Sequence, residues 1–194
     1  MAEKSSHPWK EPGNKYAHGI RCAKLVLRLR DMIFPDTDDP RLDPDILTVA
    51  AWFHDICNGQ HDHEKAGAEL VHTLLCDYLT EEELDTVCAI IRVHDHKETD
   101  RSDYSPAILL LQDADVLDHL GTYSIWITIS EFAYKHKTPE EYAVQFDNGV
   151  FAGFAARWRK WINYPQSLVL FDEKIQYETE FAHRMRRELM GEFQ

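Results

Sequence analysis

Apolar positions recur along this chain at helical rather than strand spacing. Between Lys15 and Arg30, His18, Cys22, Leu25 and Leu29 fall at i, i+4, i+7 and i+11, a single inward-facing stripe. Further helices follow. One runs to about Ile56, with Asp43 or Asp45 as N-cap and Pro44 in its first turn. It is apolar nearly all round, which predicts a central position. Asn58-Gly59 ends it, and Asp62 is a plausible N-cap for a helix from His63 to Leu79. Thr80-Glu81-Glu82-Glu83 has the pattern of a capping box and opens a helix to about Val93.

Ser105-Pro106 opens a long helical stretch through Leu111, Asp115 and Leu117, interrupted or kinked near Gly121. Thr138-Pro139-Glu140-Glu141 opens another, Pro165 breaks the region after it, and Asp172 to Phe193 reads as a terminal helix. Residues 1–14 are expected to form an irregular arm, and 34–44 and 94–104 are expected to be loops. The run Leu168-Val169-Leu170-Phe171 could be helix or strand. With no convincing alternating segment and no repeat, the expected fold is an all-α, single-domain helical bundle over residues 1–194.

Composition narrows the setting. Hydrophobic residues are 44% and charged residues 28%, the balance of a globular protein in water. No apolar run is long enough to span a membrane, and the N-terminus lacks a signal-peptide pattern. Cys22, Cys57, Cys76 and Cys88 form no close pair, which points to reduced thiols and a cytoplasmic location. A net charge of −13 argues against a long nucleic acid as partner, though not against a single nucleotide or small phosphate ester.

The chemistry concentrates at His54-Asp55, a histidine and a carboxylate inside the apolar run Leu47 to Ile56. A buried carboxylate is costly unless something positive compensates it, and a divalent metal would do so. Other potential ligands lie on inner helical faces. His18 shares a stripe with Cys22, Leu25 and Leu29. His63 precedes Ala66 and Leu70, and His94 follows Val87, Ile90 and Ile91. Asp115 lies on a mostly polar stripe with Gln112, Asp118, His119 and Thr122, whereas Asp113 has apolar neighbours Leu109, Leu110, Val116, Leu117 and Leu120. Periodicity alone does not choose between the two aspartates. A lone inward histidine is ordinarily a core residue bonded to a backbone carbonyl, but four with two carboxylates are harder to explain that way. Imidazole with carboxylate suits Mn, Fe, Co, Ni or Zn, and the set lacks the thiolates of a structural zinc knot.

The order His18, His54-Asp55, Asp115 resembles that of the HD-domain superfamily of metal-dependent phosphohydrolases. "YAHGIRCAKLVLRL" is similar to the family's first-histidine helix, "AAWFHDI" to its doublet helix and "LLLQDADVLDHLG" to its last-aspartate helix. In that last motif the ligand follows alanine, which implies Asp115. The resemblance covers residues 15 to about 125. Additional C-terminal helices over about 138–194 loosely resemble those of bacterial stand-alone members. "HDHEKAGAEL" and "IIRVHDH" resemble the segments that carry further histidines in two-metal members. The resemblance thus implies a six-ligand set of His18, His54, Asp55, His63, His94 and Asp115, with Asp55 bridging. Over a single metal, His63 and His94 would instead act as general acid or phosphate contact. One or two divalent ions (Mn, Fe, Co, Ni, Mg or Zn) are the implied cofactor. The position where several nucleotidase members carry a catalytic glutamate is Asn58, which favours metal-bound water as the nucleophile.

Among basic residues near these motifs, Arg21 and Lys65 are candidate phosphate contacts, while Lys97 and Arg101 read as solvated loop charges. The expected function is hydrolysis of a small phosphorylated substrate, most simply a nucleotide, with Asp55, His63 and His94 carrying the reaction. Two other classes share the motifs: a di-iron oxygenase using the same six ligands, and a non-catalytic regulatory module. The intact ligand set argues against the latter.

Overall fold

Local rules set most of the helix ends. A computed structural model of the protein describes residues 8–10 and 13–192. The expected N-terminal arm therefore lies largely outside the described residues, as does Phe193, the expected last residue of the terminal helix. Helix α1, Asn14–Ile33, starts inside the range predicted for the arm, behind Gly13 at φ 77. Asp43 caps α2, Pro44–Phe53, by accepting from the backbone N–H groups of Asp45 and Ile46, with Pro44 in the first turn. Helix α3 is His63–Leu75. Asp62 does sit at its N-cap position, but at φ 51 and without a side-chain cap bond, so the expected capping role fails. Its carboxylate lies 3.1 Å from His61 Nδ1 instead.

The Thr80–Glu83 capping box opens α4, Glu81–Val93, as its pattern predicts. The long stretch after Ser105 is two helices, α5 (Pro106–Asp118) and α6 (Thr122–Tyr134), separated at Gly121. That glycine takes φ 80 and ψ −144, a conformation other residues resist. Thr138 and Glu141 form a second capping box before α7, Pro139–Asp147, and α8 is Val150–Arg159. Pro165 starts a helix instead of breaking one. It stands at the first position of α9, Pro165–Leu189, where its missing N–H costs nothing. The ambiguous Leu168–Phe171 run is therefore helical. Among the described residues there are nine α-helices and no strand, so the fold is all-α.

Helix α1 packs on α2 and α5, α4 packs on α2 and α3, and α9 runs along α7 while touching α1, α5, α6 and α8. The central helix is α5, nearly every residue of which is buried between Ala107 and Asp118. Helix α2, expected in that position, is too short to be wrapped all round. Ile46, Leu47, Ala50 and Ala51 are buried, but Trp52 is 53% exposed. The α1–α2 crossing is very close at Gly19, where a Cβ would sit 2.7 Å from the Trp52 carbonyl oxygen. Cys22, Cys57 and Cys88 are buried and Cys76 exposed, all four as free thiols.

Candidate metal centre

Helix ends bring the polar residues together. Helix α2 stops at Phe53, short of the expected Ile56, so His54 and Asp55 lie in the turn that follows it. His63 is the first residue of α3 and His94 the C-cap of α4. His18 comes from α1 and Asp115 from α5. The carboxyl ends of α2 and α4 point partial negative charge at this region, which favours a cation there.

Backbone and carboxylate acceptors fix the ring orientations. His54 Nδ1 donates to the Ala51 carbonyl at 2.8 Å and His94 Nδ1 to the Ile91 carbonyl at 2.7 Å. His18 Nδ1 donates to Asp118 Oδ2 at 2.7 Å. Because those acceptors have no proton to give, each ring must carry its hydrogen on Nδ1 and present Nε2 to the centre. His63 is turned the same way, with Nδ1 3.3 Å from Glu64 Oε2 and Nε2 3.7 Å from Asp55 Oδ1.

The inner atoms converge. His18 Nε2 is 3.1 Å from His54 Nε2 and 3.2 Å from Asp115 Oδ1, and His54 Nε2 is 3.7 Å from the same oxygen. Asp55 divides its two oxygens. Oδ2 faces His18 Nε2 at 3.8 Å and His54 Nε2 at 4.0 Å, while Oδ1 faces the Nε2 atoms of His63 and His94, each at 3.7 Å. His18, Cys22, His54 and Asp115 offer ligand atoms all within 4.8 Å of one another, and so do His54, Asp55 and His94. Inward Nε2 atoms beside carboxylate oxygens form a set that, once deprotonated, suits a divalent metal ion.

Positive groups flank this set. Lys15 Nζ meets Asp55 Oδ2 at 2.5 Å, and Lys97 Nζ meets Asp115 Oδ2 at 2.7 Å. Lys97 is buried, which corrects the expectation of a solvated loop charge. Arg101 also has partners, donating to the carbonyl oxygens of Trp161 and Lys160. Burial opposes ionisation of Asp55. The imidazoles of His94 and His54 and the ammonium of Lys15 around it outweigh it and hold the carboxyl well below the usual carboxylate range. Asp115 is likewise held down against its burial, chiefly by Lys97 and by the neighbouring imidazoles of His18 and His54. Burial disfavours the imidazolium of His18, but Cys22, Asp115 and Asp118 overcome it and raise its pKa well above the ordinary value.

The six residues picked from the sequence as ligands thus meet at one place. The two basic candidates stand differently. Arg21 donates Nε and Nη2 to the two oxygens of Asp118, both at 2.8 Å, and its guanidinium lies 3.9 Å from the Tyr123 ring centroid. Lys65 is exposed on α3. Asp113 points elsewhere, accepting from the backbone N–H groups of Asn163 and Tyr164 and from the Asn163 side chain to anchor the start of α9. No pattern in the sequence singles out Lys15 or Glu64, and Cys22 stands there only as part of the inward stripe of α1. Asn58, at the position of the missing glutamate, donates Nδ2 to Asp55 Oδ1 at 3.0 Å.

Comparison with known proteins adds a family. The family model described as HD domain matches residues 16–121. The fold is similar to three solved structures. The first is an HD-superfamily hydrolase from Bacillus thuringiensis, 21% identical over 93% of this chain and 88% of the other, TM-score 0.65. The second is YpgQ of Bacillus subtilis in complex with ADP, 19% identical over 89% and 87%, TM-score 0.61. The third is a predicted HD superfamily hydrolase from an uncultured Thermotogales bacterium, 21% identical over 89% and 80%, TM-score 0.59. No curated protein matches the chain.

Proposed function

The chain belongs to the HD-domain family, and from that premise we propose that it is a metal-dependent phosphohydrolase acting on a nucleotide or another small phosphorylated metabolite. The observation that carries this reading is the divided carboxylate of Asp55, one oxygen toward His18 and His54 and the other toward His63 and His94. That is the arrangement required of a residue bridging two ions. His18, His54, Asp55 and Asp115 would hold one ion, and Asp55, His63 and His94 would hold a second. Bound divalent ions would supply Lewis acidity at a phosphoryl oxygen and lower the pKa of a coordinated water.

The rest falls to the chain's own groups. Asp118 fixes the His18 tautomer, and Arg21 holds Asp118 in place. Asn58 carries no titratable proton, so it cannot serve as general base. His63 or His94, where not bound to metal, is positioned to act as general acid or to contact phosphate. Lys15 and Lys97 add cationic charge beside the two carboxylates, and Arg21 is engaged with Asp118 through Nε and Nη2. Lys65 stays a candidate at the rim. The fold likeness to a YpgQ complex with ADP supports a nucleotide as substrate. We read residues 1–194 as one domain, and the four free thiols suit a cytoplasmic setting. No helix among the described residues is long and apolar enough to cross a membrane.

The test is elemental analysis of protein purified without chelator, followed by a phosphate-release screen over nucleotides and phosphomonoesters. Manganese or cobalt with phosphate release is the expected result. Two irons with oxygen-dependent turnover and no phosphate release would replace this reading with that of an oxygenase.

A further inference from the structure

Beside the metal centre lies a cavity of about 460 Å³ lined by Asp55 together with Lys15, Asn58 and Gln60. Two of its walls are aromatic. Tyr16, on α1, is 67% exposed, and Trp52, in the last turn of α2, is 53% exposed. The faces of α1 and α2 beneath these rings are buried in the core, with Cys22, Ala23 and Val26 on one helix and Leu47, Ala50 and Ala51 on the other. The two rings alone turn outward, on either side of the crossing that Gly19 makes close. A volume of this size suits a small metabolite, and water-facing aromatic rings are favourable surfaces for a flat π-system.

Charge restricts the occupant further. Lys15 pairs with Asp55 at 2.5 Å, so an ammonium group lines the cavity next to the proposed ions. Asn58 and Gln60, which also line the cavity, carry amide groups able to donate to and accept from the edge of a heterocycle, although Asn58 already donates Nδ2 to Asp55. The lining therefore combines an ammonium beside the proposed ions, two exposed aromatic rings and two side-chain amides. A larger cavity of about 730 Å³, between α6, α7, α8 and α9, contains none of the six proposed ligands and lacks this adjacency.

We propose that the Tyr16–Trp52 cavity is the nucleobase subsite of this protein, stacking the base of a nucleotide while its phosphate reaches the metal centre beside Asp55. The proposal rests on the phosphohydrolase reading for the phosphate beside Asp55, and on the cavity itself for the base. Stacking of one base on an aromatic side chain contributes about a tenfold gain in affinity.

The experiment compares adenosine 5′-monophosphate with ribose 5-phosphate by calorimetry on manganese-loaded protein, with KM replacing Kd for any ligand that is turned over. The wild type should prefer the nucleotide by about tenfold or more. Trp52→Ala and Tyr16→Ala should each remove most of that preference and leave ribose 5-phosphate unchanged, while Trp52→Phe should retain it. Equal affinity of the wild type for the two ligands overturns the proposal, and so does nucleotide binding by both alanine variants at wild-type strength. Should Trp52→Ala lose its helical circular dichroism, Tyr16→Ala and Trp52→Phe decide by the same ratio. The two readings fail separately. A tryptophan-dependent base preference without phosphate release from any nucleotide overturns the hydrolase alone, whereas phosphate release without base preference overturns the subsite alone.

Discussion

Asp118 accepts the Nδ1 proton of His18 at 2.7 Å, so the ring's inward nitrogen is set by a residue that need not touch the metal. Arg21 holds the same carboxylate with two 2.8 Å bonds, which keeps Asp118 from rotating away. Partners of this kind fix ligand basicity and direction, and losing one ordinarily costs about 10- to 100-fold in metal affinity. Asp118→Ala should weaken manganese binding by that order while the fold persists. Titration with a metal-competing dye measures it, and wild-type affinity in the variant would show that His18 is oriented by other means.

Asp55 faces both histidine pairs, so its removal should be more severe than removal of any single histidine. Asp55→Ala is expected to lose metal and phosphate release together. His63→Ala or His94→Ala should halve the metal stoichiometry while retaining one ion. Metal analysis of the three variants reads this directly, and two ions retained in both histidine variants would refute the assignment. Chelation of the wild type should lower its thermal midpoint, because the ion binds the folded state in preference to the unfolded chain.

Asp113 and Asp115 are two residues apart yet serve different structures. Asp115→Asn should deplete the metal. Asp113→Ala should keep it and lose stability instead, by about 1–3 kcal/mol, since it strips acceptors from the N–H groups of Asn163 and Tyr164. Urea denaturation with metal content measured in parallel distinguishes them, and the opposite pattern would exchange their roles.

Glu178 offers a test by pH. Burial on α9 pushes its carboxyl above the usual glutamate range, against the Gly121 N–H, Ser124 and Lys174, which favour the anion. The folded state therefore binds this proton more tightly than the unfolded chain does. The resulting stabilisation is fully present below the ordinary glutamate pKa and is lost as pH rises through the raised one. Glu178→Gln cannot titrate, so the wild type should lose stability relative to it across that window. Parallel melting curves for the two proteins would contradict the shift.

What could be read from the chain followed the range of each interaction. The Thr80–Glu83 capping box and the helix start at Thr138–Glu141 are legible because each closes within four residues. The six candidate ligands stand out in the sequence because each sits on or just beyond a predicted inward face. Asp113 against Asp115 was not resolvable by periodicity, since α5 is buried on every side and has no outward face to serve as reference. Lys97 looked like a surface charge because what compensates its burial, Asp115, lies eighteen residues away on another helix. Lys15 was invisible for the same reason, its partner being forty residues on. Pro165 was read as a breaker because a proline before an apolar run looks alike whether it ends one helix or starts the next.

The crossing at Gly19 has a consequence for how the centre tolerates change. His18 immediately precedes this glycine, and His54 and Asp55 lie two and three residues past Trp52, whose carbonyl the glycine faces. Three proposed ligands thus hang from a single point of main-chain contact, as if from a shared pivot. Drift in side chains elsewhere in the core can be absorbed without moving them relative to one another. One methyl group at the pivot would displace all three at once.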